Sequence, residues 1–190
     1  MIDPELARKI RLVGLDVDGV LTDGAVYMGV VAGESCEFKR FDIQDGIGIK
    51  LMQDAGIRVV LLSGRESPAT LVRARDLGIG DVIQDDSARK LPAFERLLDR
   101  LGIGFEEAAF VGDDLPDIPV LRRVGLPVAV PNAAGEVKEL ARYTTRARGG
   151  FGAVREFAEA LLRARGEWER LVERYLRERG ERVRELGRAG

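Results

Sequence analysis

Apolar residues fall along this chain in two rhythms. Short continuous apolar runs at 12–15, 58–62, 81–83, 108–111 and 127–130 read as buried strands. Between them the spacing changes to the three-and-four period of helices. Ile47, Ile49, Leu51 and Met52 give one such face, stopped at Gly56, and residues 67–77 form another helix, closed by Gly78. Leu91, Phe94, Leu97, Leu98 and Leu101 mark a strongly amphipathic helix over 89–101 that ends at Gly102. A helix through Leu121, a short helix, a weak strand near Tyr143 and a last helix from Ala153 complete the alternation. One stretch breaks it: residues 25–31 and 37–41 read as two strands joined around Gly29 and Gly33, an inserted β-hairpin. Strands alternating with helices of this length predict an α/β fold, Rossmann-like, with three α/β/α layers and a mainly parallel central sheet. The pattern divides the chain into a domain over 1–165 and a helical extension over 166–190. In the extension Trp168, Leu171, Val172, Tyr175 and Leu176 form an apolar stripe that Val183 and Leu186 continue weakly.

In folds of this kind the site lies at the carboxyl ends of the strands. The first strand runs straight into Asp16-Val17-Asp18-Gly19-Val20, which places two acids on the sheet edge. Such a pair suits Mg²⁺, a hard cation that takes oxygen ligands, and it also suits covalent attack on phosphorus. A solvated strand-end turn is the plain structural alternative. Three further segments converge on the same rim: Ser63-Gly64-Arg65, Lys90 at a helix start, and Gly112-Asp113-Asp114.

Composition narrows the chemistry. The chain has no histidine and one cysteine, Cys36, so Ser-His-Asp and Cys-His mechanisms, His-ligated zinc and an intramolecular disulfide are excluded. Carboxylates, Lys, Arg, hydroxyls and backbone amides remain, and Mg²⁺-dependent phosphoryl transfer needs no others. A net charge of −2 argues against nucleic acid as a partner, and acids interleave with the arginines of the tail. No membrane-spanning stretch or leader is expected, which makes a cytoplasmic protein the default.

Taken together, DVDGVLTDG, LLSGR, a lysine at a helix start and VGDDLPD resemble the four motifs of the haloacid dehalogenase superfamily of phosphohydrolases. YMGVVAGE, FDIQDGIGIK, VGDDLPDIPVL and GGFGAVREF are similar to its small branch that lacks a cap domain, over about residues 10–160. The segment between the first two sheet strands has room for a hairpin and a helix only. The resemblance implies Asp16 as nucleophile and Asp18 as the acid, then base, that moves the proton. It implies Mg²⁺ on Asp16, the Asp18 backbone carbonyl and Asp113, with Asp114 and Asp117 supporting the metal or its water. Ser63 and the Gly64 amide would bind phosphate oxygens, and Lys90 would add positive charge. The implied substrate is a phosphorylated sugar acid of lipopolysaccharide precursor synthesis, first 3-deoxy-D-manno-octulosonate 8-phosphate, with a nine-carbon sialic-type acid phosphate as alternative. A non-catalytic oligomerisation partner of a sugar-activating enzyme is the reading from another class. Arg65 suits the substrate carboxylate. A homotetramer is implied as well, with paired hairpins and a C-terminal segment over a neighbouring site; Arg155 is the candidate for that contact. Two departures stand out: the 84–89 segment is longer and more acidic, so Arg89 could compete with Lys90, and Gln44 stands where a basic residue is expected. Asp45 reads as the N-cap of its own helix.

Overall fold

The computed structural model of the chain describes residues 1–180, so the expected continuation of the tail stripe at Val183 and Leu186 lies outside the described residues. Eight strands form among the described residues, β1 (Leu12–Leu15), β2 (Tyr27–Val31), β3 (Glu34–Phe38), β4 (Arg58–Ser63), β5 (Asp81–Gln84), β6 (Ala108–Gly112), β7 (Leu126–Ala129) and β8 (Tyr143–Thr144). Six of them make one sheet in the order β5-β4-β1-β6-β7-β8, and every pairing in it is parallel. The strand with the least polar sequence is central: β1 pairs Leu12 with Arg58 of β4 and with Ala108 of β6. Every residue of β1, β6 and β7 is buried, as a sheet covered by helices on both faces requires.

The helices are α1 (Pro4–Lys9), α2 (Ile43–Asp54), α3 (Pro68–Asp76), α4 (Lys90–Leu101), α5 (Ile118–Leu121), α6 (Gly135–Leu140), α7 (Ala153–Arg165) and α8 (Trp168–Arg177). Helices α1, α2, α7 and α8 pack on one another, and α5 packs on α4 and α6. Gly14, in the middle of β1, has no room for a Cβ, which would meet the Phe110 ring at 2.6 Å. The space it leaves admits Phe110 and Phe94, whose rings meet edge to face at 6.0 Å. No helix among the described residues is long and apolar enough to cross a membrane.

The hairpin departs from its expected bounds. The hairpin's second strand begins at Glu34, not at residue 37, because the chain reverses at Ala32-Gly33 and not around Gly29. Both reversal residues have positive φ, 53° and 87°, the conformation a two-residue hairpin turn demands. Gly29 sits within β2, opposite Cys36. The helix α1 went unpredicted, although Asp3 accepts from the Leu6 amide and Pro4 takes the first helical position. Helix α7 ends at Gly166, φ 74°, and α8 returns to pack on α7 and α2 with Trp168 and Leu171 buried. Arg174 of α8 meets Asp54 at 3.2 Å, which ties the extension to its own domain.

Candidate active site

The chain turns sharply where β1 ends. Asp16 is the first residue past the strand, and Gly19 follows with φ 101°, a conformation that disfavours any side chain. A Cβ there would also collide with the Asp113 carboxylate. Glycine therefore lets the β1 loop close onto the end of β6. Asn132 fastens it from beyond β7, donating to the Gly19 carbonyl at 2.8 Å and accepting from the Gly149 amide at 2.8 Å.

Asp16, Asp113 and Asp117 meet here, with one carboxylate oxygen of each within 4.8 Å of the others. Asp16 and Asp117 are almost fully buried, at 5% and 1% exposure. Lys90, the first residue of α4, lies between them, with Nζ at 2.5 Å from Asp16 Oδ1 and 2.6 Å from Asp117 Oδ1. Arg89 is exposed and reaches only Ser87, so the lysine takes the place at the cluster. Asp117 spends its other oxygen on the Asp113 amide at 2.9 Å and the Asp114 amide at 3.3 Å. Asp114 turns outward and caps the short turn over Leu115–Asp117.

Charge is unbalanced in this cluster. Burial first, then the neighbouring Asp117 and Asp113, push the Asp16 carboxyl well above the usual carboxylate range, against the pull of Lys90. Burial likewise raises Asp113 to about 6, with Asp117 adding to it. Burial opposes the charge on Lys90, but Asp16 and Asp117 outweigh it and raise its pKa. Were all three carboxyls ionised, the one ammonium would leave an excess of two negative charges, and this repulsion adds to burial in holding protons on Asp16 and Asp113. Asp113 Oδ1 is buried with no hydrogen-bond partner. A hard divalent cation on Asp16 and Asp113 would satisfy both the charge and the orphaned oxygen, so the donor set fits Mg²⁺.

The cluster opens on a cavity of about 340 Å³ whose lining includes Asp18, Gly64, Arg65 and Lys90. Asp18 stands apart from the carboxylate cluster and is engaged by the hairpin: Lys39 Nζ lies 2.7 and 2.8 Å from its two oxygens. Arg65 approaches Asp18 at 3.9 Å and binds Glu37 at 2.8 Å. Ser63 is buried and its hydroxyl is spent locally, donating to the Arg65 carbonyl at 2.9 Å and accepting from the Arg65 amide at 3.1 Å. Arg155 does not join the group; its guanidinium sits 5.1 Å from the Trp168 ring centroid.

Two residues carry roles that motif reading missed. Lys39 was passed over because its significance lies in a contact made across the fold, and the EFKRF segment has no motif to advertise it. Asp45 is corrected: Asp42 caps α2 by accepting from the Gln44 amide at 2.8 Å. Asp45 is buried and accepts from the Arg155 amide at 2.7 Å, so it caps α7, a helix that starts over a hundred residues later. Burial raises its carboxyl to about 6.

A model of the haloacid dehalogenase-like hydrolase family matches residues 78–155. The chain is 45% identical over 161 residues, 85% of its own length and 84% of the relative's, to the 3-deoxy-D-manno-octulosonate 8-phosphate phosphatase of Escherichia coli K12. The corresponding phosphatase of Moraxella catarrhalis, crystallised with a magnesium ion, a phosphate ion and a KDO molecule, superposes with a TM-score of 0.84 at 35% identity. The match covers 90% of this chain and 97% of that one. The Yersinia pestis phosphatase gives 0.82 at 42% identity, over 87% and 88% of the two chains. With the cluster at the strand ends and, among the described residues, no further domain over it, the chain belongs to the 3-deoxy-D-manno-octulosonate 8-phosphate phosphatase family of haloacid dehalogenase-like hydrolases.

Proposed function

We propose that this protein hydrolyses 3-deoxy-D-manno-octulosonate 8-phosphate to the free sugar acid and phosphate, through an aspartyl-phosphate on Asp16. The observation that carries the reading is the buried Asp16–Lys90–Asp117 arrangement beside Asp113 at the floor of an open cavity. A carboxylate oxygen of Asp16 attacks phosphorus as the bond from phosphorus to the sugar oxygen breaks. Asp18 gives its proton to the departing oxygen, then takes one from the water that breaks the bond between Asp16 and phosphorus. Lys90 holds Asp16 in place and faces the charge that develops on the phosphoryl oxygens. The Gly64 amide and Ser63 are the phosphate contacts, which asks the Ser63 hydroxyl to leave its Arg65 partners when substrate binds. Asp16, Asp113 and the Asp18 carbonyl would hold Mg²⁺, which would supply the positive charge that lets an anionic nucleophile meet an anionic phosphate. Asp117 and Asp114 support that shell. Arg65, half-exposed at the mouth, is the fork for the substrate carboxylate.

The hairpin exposes Val26, Tyr27, Met28, Val30, Val31 and Phe38. An uncovered apolar ribbon of this kind supports a homotetramer with paired hairpins. Arg155 would then face a neighbouring site only by leaving Trp168. We place the catalytic domain at 1–165 with the extension beyond it, and the enzyme in the cytoplasm, where a lone free cysteine such as Cys36 is ordinary.

Phosphate release with Mg²⁺ from the eight-carbon substrate and from a nine-carbon sialic-type acid phosphate tests the assignment. The eight-carbon acid is expected to turn over faster, and Asp16→Asn to lose about 10⁴-fold or more while keeping its unfolding transition. Faster turnover of the nine-carbon acid would reassign the substrate. Appreciable activity in Asp16→Asn would overturn the covalent route, and no hydrolysis of any monoester would restore the non-catalytic reading.

A further inference from the structure

The hairpin inserted between β1 and α2 delivers a second lysine to the site, and its placement is specific. The Lys39 side chain is 1% exposed, as closed off as any core residue, although its backbone lies at the hairpin's end. Buried ammonium groups are costly unless paired. Both Asp18 oxygens pair it, at 2.7 and 2.8 Å, and Glu37 stands by at 3.7 Å. Glu37 is itself fixed: Ser67 donates to it at 2.7 Å and Arg65 at 2.8 Å, and these bonds together with Lys39 hold its carboxyl below the usual range. The next two residues pin the backbone. The Arg40 guanidinium donates to the Gly150 carbonyl, and the Phe41 backbone bridges to Thr22, four residues past Asp18. Lys39 does not line the cavity that Asp18 lines. It therefore reaches the reaction through Asp18 and not through the phosphate.

We propose that Lys39 is the positioning residue of the proton shuttle: when Asp18 is protonated, Lys39 stays on one of its oxygens and so turns the other, which carries the proton, towards the leaving oxygen. The inference rests on the role of Asp18 given above. The physical reason is geometric. Asp18 has an exposed side and adjoins Gly19 in a sharply turned loop, so one bidentate partner decides which rotamer it keeps. The lysine comes from a different element, pinned on both sides, and this fixes the direction of approach.

The test compares two small substrates without a carboxylate, so that sugar-acid recognition plays no part. An alkyl ester, 2-phenylethyl phosphate, needs its leaving oxygen protonated; p-nitrophenyl phosphate releases a stable anion and does not. With Mg²⁺ present, kcat/KM reports the step in which the leaving group departs. Lys39→Met is expected to lower kcat/KM about tenfold or more for the alkyl ester and less than about threefold for the nitrophenyl ester. Lys39→Arg is expected to recover most of the loss. In an Asp18→Asn background Lys39→Met is expected to add nothing to the selectivity. The nitrophenyl rate also shows that the variant is folded. Equal losses on both esters, or a loss confined to KM for the sugar acid, would overturn the positioning role. If Asp18→Asn alone shows no preference between the esters, the shuttle assignment of Asp18 fails, and the role of Lys39 fails with it.

Discussion

Two regions meet at the mouth of the cavity, and they are built on opposite terms. The rim at the ends of β1 and β6 lies in the middle of a six-stranded sheet, with Asp16, Lys90 and Asp117 buried. The hairpin β2/β3 is a two-stranded sheet by itself, mostly exposed along both strands. A lone hairpin has little stability of its own. Here polar contacts near its base hold it: Tyr27 to Asp23 at 2.6 Å, Glu37 to Ser67 and Arg65, Lys39 to Asp18 and Arg40 to Gly150. The rim keeps like charges together because the sheet leaves them no choice. The hairpin keeps opposite charges together because it has little else to hold it. Under the proposed mechanism, bond making falls to the buried rim, and the exposed hairpin contributes the Lys39 that orients Asp18.

The sharpest way to break this division is at Lys90. Lys90→Met removes the one cation among three carboxylates, and turnover is expected to fall about 10²–10³-fold. The same change should cost about 3–5 kcal/mol of stability, seen as a lower melting temperature, because buried charges lose their partner. A variant that melts normally would show that the rim tolerates its own repulsion. The hairpin should respond differently. Met28 and Val30 share one face of β2 and are 68% and 73% exposed. Glutamate at both positions is expected to reduce the solution mass, with turnover falling less than about tenfold and little change in melting. An unaltered mass would remove this face as an assembly surface.

Asp45 gives a pH signature separate from either region. Its folded-state pKa of about 6 lies above the unfolded value, so the folded state binds the proton more tightly. Its contribution to stability is complete below about pH 4 and declines as pH rises towards 6. Above that it is constant, lower by up to about 3 kcal/mol. Asp45→Asn keeps an oxygen for the Arg155 amide and should flatten the unfolding profile between pH 4 and 6. A profile unchanged from the parent would assign the proton elsewhere.

The sheet and the rim were legible because both rest on local patterns. Apolar runs of four or five residues with acids behind them announce buried strands and their carboxyl ends, and Asp16, Lys90 and Asp113 followed from that order. What escaped depends on contacts between distant segments. The two-residue turn at Ala32-Gly33 was hidden because alanine carries no signal for φ 53°. Asp45 looked like a cap for the helix it begins, yet its carboxylate serves α7, since the α2–α7 packing brings that helix start above it. The contact of Asp117 with Lys90 escaped the sequence for a related reason. The turn over Leu115–Asp117 swings it back beneath Asp113, a reversal that spacing from the strand end does not reveal.

The central position of β1 has a consequence for how the molecule comes into being. The strand that carries Asp16 is made early, yet its partners are residues 58–61 and 108–111, and its loop is closed by Asn132 and by the Gly150 amide on the Val20 carbonyl. A growing chain holds the first acid long before it holds anything to set against it. Contacts this distant in sequence form late and slowly. The charged groups of the cluster therefore cannot meet before the chain through Asp117 has been made, and the loop behind Asp16 cannot close before Gly150.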